Sequence, residues 1–481
     1  MKTLLFAGIP ASLAALLVAC SGSPDAAPPH DPPVAATPDP TPDAGPPPDA
    51  GPPKPQSCSA PLVDPQCASE SPPPTSKTAI DAFVKENAVP LRCGADGEDP
   101  VWDLRPLVDL YGSQKIFAIG EVHGSNEIGI VSSLLLEQLA SKKLVNVLAF
   151  EMPMDLEPAL QRYVDTGKDP MAEQFLKQLA PNFFGTILTK TARELATKGI
   201  ALNVGAVDIP FEPETAVAAI QEVAAKLTTQ KATVLSTLPT SFAQPPTPDD
   251  VTKVNAYFDL VTGKETEICA ELSAADCDRL DAMTHALWAS ALSYDRAGDP
   301  GEWFARREVV IYYNLRSKMT APGDRMFLHM GAFHTNKHLA SAGSRMAHEH
   351  AGTKDQVFSV APAYGDGSVI WYGEDVDMPG DPPTVVSALS DAPANPFFVP
   401  TNRPSASCVG NPLGREPEES VGTGGLRGEL YDGYIHYGRL TSERKPTQAT
   451  LSPGDVIGGS LQDFRARIEA RERAAFARLR R

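Results

Sequence analysis

The chain of 481 residues contains 42 basic and 60 acidic residues, which gives a formal net charge of −18. No basic patch or stripe stands out before the C-terminal tail, so this balance argues against a nucleic-acid partner. The length allows a large hydrophobic core, either in one elaborated domain or in a domain with an insertion.

The N-terminus has the form of a bacterial lipoprotein signal. Lys2 supplies a basic start, an apolar run follows, and the run LVAC at 17–20 resembles a lipobox. Such a segment is cleaved, so residues 1–19 are predicted to be a signal peptide and do not count as a transmembrane helix. The resemblance implies that Cys20 becomes a diacylated N-terminus, with acyl chains such as palmitate that anchor the protein stably in a membrane. Ser21 follows the cysteine where Asp would indicate the inner membrane, so we expect the outer membrane of the cell envelope.

Residues 20–57 are rich in Pro, Ala and Asp and contain almost nothing that could pack into a core. This composition predicts a disordered, acidic tether that begins at the lipidated cysteine. The remaining residues, 58–481, are predicted to form one globular domain, displayed away from the membrane as a monomer.

Six cysteines remain once the lipobox cysteine is set aside, an even number in a chain bound for an oxidising compartment. Neither a CxxC spacing nor a zinc-type pattern occurs, so structural disulfides are predicted rather than a metal centre or a nucleophile. The sequence cannot select one pairing. Short separation in the sequence favours the pairs Cys58–Cys67 and Cys269–Cys277. Cys93 and Cys408 would then form the third pair.

Four short apolar runs have the length and the residue types of buried strands, and each ends on charged or imidazole side chains. The runs are 115–124, 147–152, 202–208 and 326–334. Helix-forming sequence between the first three indicates βαβ units and a parallel sheet. Ligands bind at the carboxyl ends of the strands in such sheets, so we expect a site at that edge. The strand ends would place there Glu121, His123, Glu151, Asp208 and His334.

The rest of the chain completes the predicted architecture. Residues 211–305 contain no comparable strand and offer helical stretches instead, divided by a proline-rich turn. We therefore predict an α/β fold, a parallel-sheet core flanked by helices, with a helical insertion after the third core strand that caps the strand ends. Later strands are expected at 355–363, 367–373 and 429–440, and the Pro/Gly-rich stretch 374–425 is expected to be mostly loop.

The stretch GEVHGSNE contains the first chemical pair. Glu121 and His123 share one face of an extended chain, since side chains two residues apart point the same way. A carboxylate beside an imidazole can orient the ring, fix its tautomer and raise its basicity, as a general base requires. The same pair could bind a divalent metal. Helix capping by Ser125 or Asn126 is a structural alternative, but it does not explain a buried Glu-x-His pair.

Two further carboxylates end buried runs. Glu151 should have a partner or a raised pKa, because burial of an unpaired carboxylate is costly. Opposite His123 on the adjacent strand, Glu151 becomes a candidate acid or base. Asp208 follows the same reasoning with less force, because Asp-x-Pro is also a common way to end a strand.

Three of the nine histidines lie between residues 329 and 338. Alternation places His329 and His334 on opposite faces of an extended strand. His334 and His338 would share a face if a helix begins at the Gly-x-x-His turn. A lone histidine is usually a core or surface residue, but three that follow a buried strand favour a site.

Short motifs in a fixed order extend over residues 105–345 and the last strand. The run IGEVHGSNE at 119–127 fits a Gly-Glu-x-x-His-Gly-x-x-Glu pattern with one residue fewer between Glu and His. The other matching runs are LAFE at 148–151, RYVDTG at 162–167, VGAVD at 204–208, Arg307-Glu308 with Asn314, Gly331-x-x-His334, and Asn336-Lys337-His338. These motifs resemble the erythromycin esterase family, within a wider group of ChaN-type haem-associated lipoproteins and Tiki/TraB proteins.

The resemblance implies a hydrolase that acts on an ester, lactone or related bond of a small molecule. In the esterases, such histidines and glutamates hydrolyse a macrolide lactone through an activated water without a metal. No cofactor is therefore favoured, while haem binding without catalysis, or a divalent metal bound by Glu121, His123 and His334, are the alternatives. The implied catalytic residues are Glu121, His123, Glu151 and His334. The implied substrate-binding residues are Glu127, Asp208, Arg307 and His338.

Overall fold

The structure is a computed structural model. It describes residues 78–93 with internal gaps, 101–179, 183–243, 246–292, 298–338, 340–364, 366–371, 374–378, 396–401, 427–437 and 439–440. The predicted signal peptide, the lipidation site Cys20, the tether and three cysteines, Cys58, Cys67 and Cys408, lie outside these residues. Among the residues that are described, no helix has both the length and the apolar character needed to cross a membrane.

The strands carry the site and are named in chain order. They are β1 Val89–Pro90, β2 Arg92–Cys93, β3 Val101–Trp102, β4 Ile116–Glu121, β5 Val147–Pro153, β6 Asn203–Asp208, β7 Met326–Gly331, β8 Val357–Ala363, β9 Asp366–Trp371, β10 Glu374–Met378, β11 Phe397–Pro400, β12 Gly433–His436 and β13 Arg439–Leu440. Two of them, β10 and β11, fall within the stretch expected to be mostly loop.

The helices surround these strands. They are α1 Arg105–Tyr111, α2 Asn126–Ser141, α3 Glu157–Thr166, α4 Pro170–Gln178, α5 Phe184–Thr197, α6 Pro213–Ala224, α7 Lys231–Thr237, α8 Pro248–Gly263, α9 Glu265–Cys269, α10 Ala274–Ala291, α11 Pro300–Lys318, α12 Ala332–Thr335, α13 Ala342–His348 and α14 Arg427–Leu430. The helices from α6 to α10 follow β6 and form the predicted insertion.

Eight strands form one sheet in the order β1-β11-β12-β8-β4-β7-β5-β6. The six from β12 to β6 are parallel, and β11 and β1 add antiparallel strands at one edge. This arrangement confirms the predicted α/β fold with a parallel-sheet core flanked by helices. The expectation that β4 and β5 are neighbours is wrong, because β7 pairs with both of them. Apart from His329, β7 is an apolar run, which suits that central place, where both faces of the sheet are buried.

Alternate residues of each core strand pack against helices on opposite faces of the sheet. One face carries Phe117, Phe150 and Phe327, which pack with side chains from α2, α3 and α5. The other face carries Ala118, Ala149 and Leu328 and packs with α11 and α13. Burial of both faces explains why the strands are continuous apolar runs rather than alternating ones.

The helical insertion has a hydrophobic core of its own. Cys269 and Cys277 form a disulfide between α9 and α10, with Cα atoms 5.2 Å apart, which confirms the predicted pair. The hydroxyl of Ser290 in α10 donates to the carbonyl oxygen of Pro210 at 2.8 Å. Because Pro210 lies just beyond β6, this contact places the end of α10 near the carboxyl edge of the sheet.

Candidate active site at the carboxyl edge of the sheet

The carboxyl ends of β4, β5, β6 and β7 bring their polar residues together. Glu121 is the last residue of β4, Asp208 is the last of β6, and Glu151 lies near the end of β5. His334 lies in the short helix α12, directly after β7. Six of the residues predicted from the sequence are therefore linked by direct contacts: Glu121, His123, Glu151, Asp208, Arg307 and His334.

His123 is paired with Glu121. Nδ1 of His123 lies 2.7 Å from Oε1 of Glu121, in an ion-pair contact whose angle departs from that of a well-aligned hydrogen bond. The His123 side chain is 38% exposed, whereas that of Glu121 is only 4% exposed. Burial disfavours the protonated ring, but the charges of Glu121 and Glu151 outweigh it and raise the pKa of His123 to about 9.

Glu151 is the central carboxylate of the site. Its Oε2 accepts the backbone N–H of Gly331 at 2.8 Å and lies 4.0 Å from Nε2 of His123. Its Oε1 contacts the Arg307 guanidinium and lies 3.4 Å from Nε2 of His334. Burial opposes ionisation, yet the charges of His334, Arg307 and His123 hold the pKa of Glu151 well below its usual range. Glu151 therefore suits a fixed negative charge better than the proton-transfer role expected from the sequence.

Arg307 is held by a carboxylate fork. Its Nε donates to Oδ1 of Asp208 at 2.7 Å, and its Nη2 donates to Oδ2 at 2.8 Å. Although burial opposes the charged form, Asp208 and Glu151 raise the pKa of Arg307, so the guanidinium is permanently charged. Both Asp208 oxygens are engaged in this bidentate pair, so Asp208 positions Arg307 rather than offering a free carboxylate to a substrate.

Glu308 is a site residue whose role the sequence did not reveal. One of its oxygens contacts Nδ1 of His334, and the other accepts the backbone N–H of Ala342 at 2.7 Å. Burial lowers the pKa of His334, but Glu308 and Glu151 together raise it to about 10. The sequence feature that could have indicated this role is the Arg307-Glu308 pair itself. Consecutive residues of a helix point about 100° apart, so the two side chains can contact two different partners.

Helix α11 brings Arg307 and Glu308 to the site. Asp299 caps its N-terminus and accepts the backbone N–H of Gly301 at 2.8 Å. Farther along, the side-chain amide of Asn314 donates to the carbonyl oxygen of Val207 at 2.9 Å. The first contact fixes where the helix begins, and the second fixes the helix against β6.

The turn that carries His334 is held by two hydrogen bonds. The Asn336 side-chain amide donates to the carbonyl oxygen of Phe333, and the Tyr431 hydroxyl donates to that of Ala332 at 2.8 Å. Helix α12 ends at Thr335, so His334 and His338 do not share a helical face as expected. The side chain of His338 is exposed, and the contacts found among the described residues do not tie it to the cluster.

Glu127 lies in the first turn of α2 and is partly buried. Burial raises the pKa of the Tyr437 phenol, and the charges of Glu121 and Glu127 raise it further, so both carboxylates lie near that ring. Ser125 occupies the N-cap position of α2, but its side chain makes no capping hydrogen bond. Ser125 is therefore the N-cap residue, as the alternative expected, but without the side-chain hydrogen bond of a cap.

Gly331 keeps open the space between His123 and His334. A Cβ atom at position 331 would lie 3.2 Å from Nε2 of His123, 3.4 Å from Oε2 of Glu151 and 3.5 Å from Cδ2 of His334. Gly331 thus lets the backbone approach all three side chains at once.

Three residues of the cluster could hold a divalent metal. Among the described residues, Glu121, His123 and Glu151 each offer a ligand atom within 4.8 Å of the others. One imidazole and two carboxylates form a donor set suited to ions such as Mn²⁺, Fe²⁺ or Zn²⁺. His334, expected from the sequence as a possible third ligand, is occupied by Glu308 instead.

Comparison with solved structures identifies the architecture. A succinoglycan biosynthesis protein superposes with a TM-score of 0.55 at 14% identity, covering 77% of this chain and 99% of that one. Erythromycin esterase EreC, in its open conformation, gives 0.53 at 12% identity over 73% and 97%. The chain has the erythromycin esterase fold.

Two further solved structures were compared with this chain. A Bacillus cereus protein superposes on this chain with a TM-score of 0.53, at 16% identity over 78% of this chain and all of that one. The haem-binding ChaN of Campylobacter jejuni gives a TM-score of only 0.27, too low to indicate a common fold. No known family profile and no curated protein matches the sequence. At these identities the likeness to erythromycin esterase establishes the fold alone.

Proposed function

We propose that the protein is a hydrolase in which His123 activates water to attack an ester, a lactone or a related bond. One observation carries this proposal. The His123 side chain is 38% exposed, whereas those of Glu121, Glu151 and His334 are only 4 to 6% exposed. His123 is thus the imidazole that a substrate and a water can reach, and Glu121 lies behind it to orient the ring.

In the proposed reaction, His123 takes one proton from water and later gives it to the leaving group. Neutral His123 keeps its proton on Nδ1, directed to Glu121, and takes a proton from water through Nε2 as the water oxygen attacks the carbonyl carbon. The resulting oxyanion lies near the cationic Arg307 and His334, whose charges stabilise it. His123 then gives the Nε2 proton to the departing alkoxide, which leaves as an alcohol. An acid and an alcohol are the products.

The fixed charges of the site support this division of roles. Glu151 is ionised and already accepts the Gly331 N–H and the Arg307 guanidinium. Its negative charge holds the protonated His334 and Arg307 in place without itself exchanging a proton. Catalysis in such a site depends on charges that are arranged before the reaction begins.

A substrate panel tests the proposal. Purified full-length protein is assayed against aryl esters, aliphatic esters, small lactones and macrolide lactones, because one structural neighbour is an erythromycin esterase. We expect hydrolysis of at least one class, with and without a chelator in the buffer. Hydrolysis of none of these classes would contradict the proposal.

Metal-dependent hydrolysis is the second candidate, and the grouping of Glu121, His123 and Glu151 favours it. A bound divalent ion would supply an activated water there. Activity lost on chelation and restored by one added metal would support this candidate against the metal-free one. Haem binding remains a prediction from the sequence, and a Soret shift on titration with haem would test it.

We also propose that the enzyme acts in the cell envelope on a lipid anchor at Cys20. The lipobox and the proline-rich tether support this proposal. Replacement Cys20→Ser should move the full-length protein from the membrane to the soluble fraction. Continued sedimentation of the Cys20→Ser protein with membranes would contradict the anchor.

A further inference from the structure

His329 is a buried histidine whose ring nitrogens have no hydrogen-bond partner among the described residues. It lies in the centre of β7 with its side chain fully buried. Burial of unpaired polar atoms disfavours the folded state. A phenylalanine would pack in the same place without that cost, so packing does not explain why a polar ring is present.

The surroundings of His329 point to one charged neighbour. The ring stacks on Phe184, with centroids 4.9 Å apart and planes inclined by 21°. Its Nε2 lies 3.8 Å from Oε2 of Glu121, the oxygen that does not contact His123. This separation exceeds the roughly 3 Å of a hydrogen bond, but a shift of less than about 1 Å would close it.

Burial favours the neutral form of the His329 ring. Burial lowers its pKa, the charge of Glu121 opposes that effect, and the charge of His123 adds to it. A neutral imidazole carries one N–H, which can lie on either nitrogen. Glu121 is the nearby acceptor that would stabilise the tautomer with the proton on Nε2.

We propose that His329 is a positioning residue that donates its Nε2–H to Oε2 of Glu121 and so holds Oε1 against His123. Glu121 then bridges two imidazoles, one half-exposed and one buried. His329 touches neither water nor substrate in this arrangement. Its effect on turnover rests on the proposed function, whereas its contact with Glu121 does not.

A double-mutant cycle tests the catalytic part. His329→Phe keeps a ring that can stack on Phe184 and removes the donor. We expect kcat to fall at least about tenfold with KM nearly unchanged, because loss of a group that orients a catalytic side chain typically has an effect of this size. In a Glu121→Gln background the same change should cause no further loss. An equal loss in both backgrounds would overturn the proposal.

Two further variants sharpen the cycle. His329→Gln retains an N–H donor and should recover part of the lost kcat. His436→Phe is the matched control, because His436 is also buried and stacks on an aromatic ring, that of Phe397, at 4.8 Å in β12. Its kcat should equal that of the wild type. A loss as large as that of His329→Phe would mean that disturbance of the sheet, not Glu121, causes the effect.

Thermal unfolding separates this inference from the proposed function. In the wild-type background, His329→Phe removes the donor of a buried carboxylate and should lower Tm. In the Glu121→Gln background the carboxylate charge is gone, so the fall should be smaller. If the wild type hydrolyses no substrate, the proposed function fails, and this difference in Tm still supports the contact. Equal falls in both backgrounds would overturn the inference even if hydrolysis is observed.

Discussion

Glu308 contacts Nδ1 of His334, and Glu121 contacts Nδ1 of His123. Nε2 of each histidine faces Glu151, at 3.4 Å for His334 and 4.0 Å for His123. The site therefore contains two carboxylate–imidazole pairs around one central carboxylate. The exposed pair suits proton transfer, and the buried pair suits a fixed positive charge.

Replacement of Glu308 tests the buried pair. Glu308→Gln removes the charge that stabilises the His334 imidazolium, and the new amide N–H would point at a ring nitrogen that also carries a proton. Loss of one partner from a buried ion pair typically costs about 3–5 kcal/mol in the free energy of unfolding. Urea unfolding should show a loss of this order, together with lower kcat. Glu349→Gln, at an exposed position, is the control, and equal stability of the two variants would contradict the assignment.

The pH dependence of hydrolysis should report His123. The base is the neutral ring, and its pKa of about 9 lies above neutral pH, so about 1% of the protein is competent at pH 7. We expect kcat/KM to rise about tenfold per pH unit and to level off above pH 9. Glu121→Gln removes a charge that raises this pKa and should shift the inflection to lower pH. A profile that is flat from pH 6 to 9 would exclude His123 as the base.

Stability should fall at alkaline pH because of His334. Its pKa is raised in the folded state to about 10, so the folded protein binds this proton more tightly than the unfolded chain. The stabilisation is complete below the unfolded pKa of about 6.5 and is lost as pH rises towards 10. This one group contributes a slope of about 1.4 kcal/mol per pH unit across that window. Urea unfolding of His334→Gln should lack this part of the slope, and an unchanged slope would contradict the assignment.

Gly331 should tolerate no side chain without loss of activity. The Cβ of Gly331→Ala would lie 3.2 Å from Nε2 of His123, at the atom proposed to take the proton from water. We expect an intact fold by circular dichroism and a fall in kcat/KM of at least about tenfold, about 1.4 kcal/mol. Gly323→Ala is the control, since a Cβ there meets nothing within 4 Å. Equal activity of Gly331→Ala and wild type would place the reacting atoms elsewhere.

The sequence sufficed for the strands because their signal is local. Continuous apolar runs that end on Glu121, Glu151 and Asp208 indicate buried parallel strands and the edge at which their ends meet. The disulfide between Cys269 and Cys277 was likewise predictable from short separation.

The remaining features depend on contacts between distant parts of the chain. The place of β7 between β4 and β5 follows from packing after a long insertion, and no local pattern encodes it. Arg307 meets Asp208 across 99 residues, so no local pattern in the sequence indicates this pair. The partnership of Glu308 with His334 depends on how α11 lies against α12, so the sequence supplied the residue but not its role.

The activity of a His123→Gln variant tests the central claim most directly. Glutamine is close to histidine in size but cannot act as a base at Nε2, and loss of a general base typically costs about 10²–10⁴-fold in rate. Turnover of the best substrate should be measured at pH 9 for the wild type, for His123→Gln and for His348→Gln, which alters an exposed histidine. The account predicts a loss of at least about a hundredfold for His123→Gln and none for His348→Gln. Turnover by His123→Gln equal to that of the wild type would contradict it.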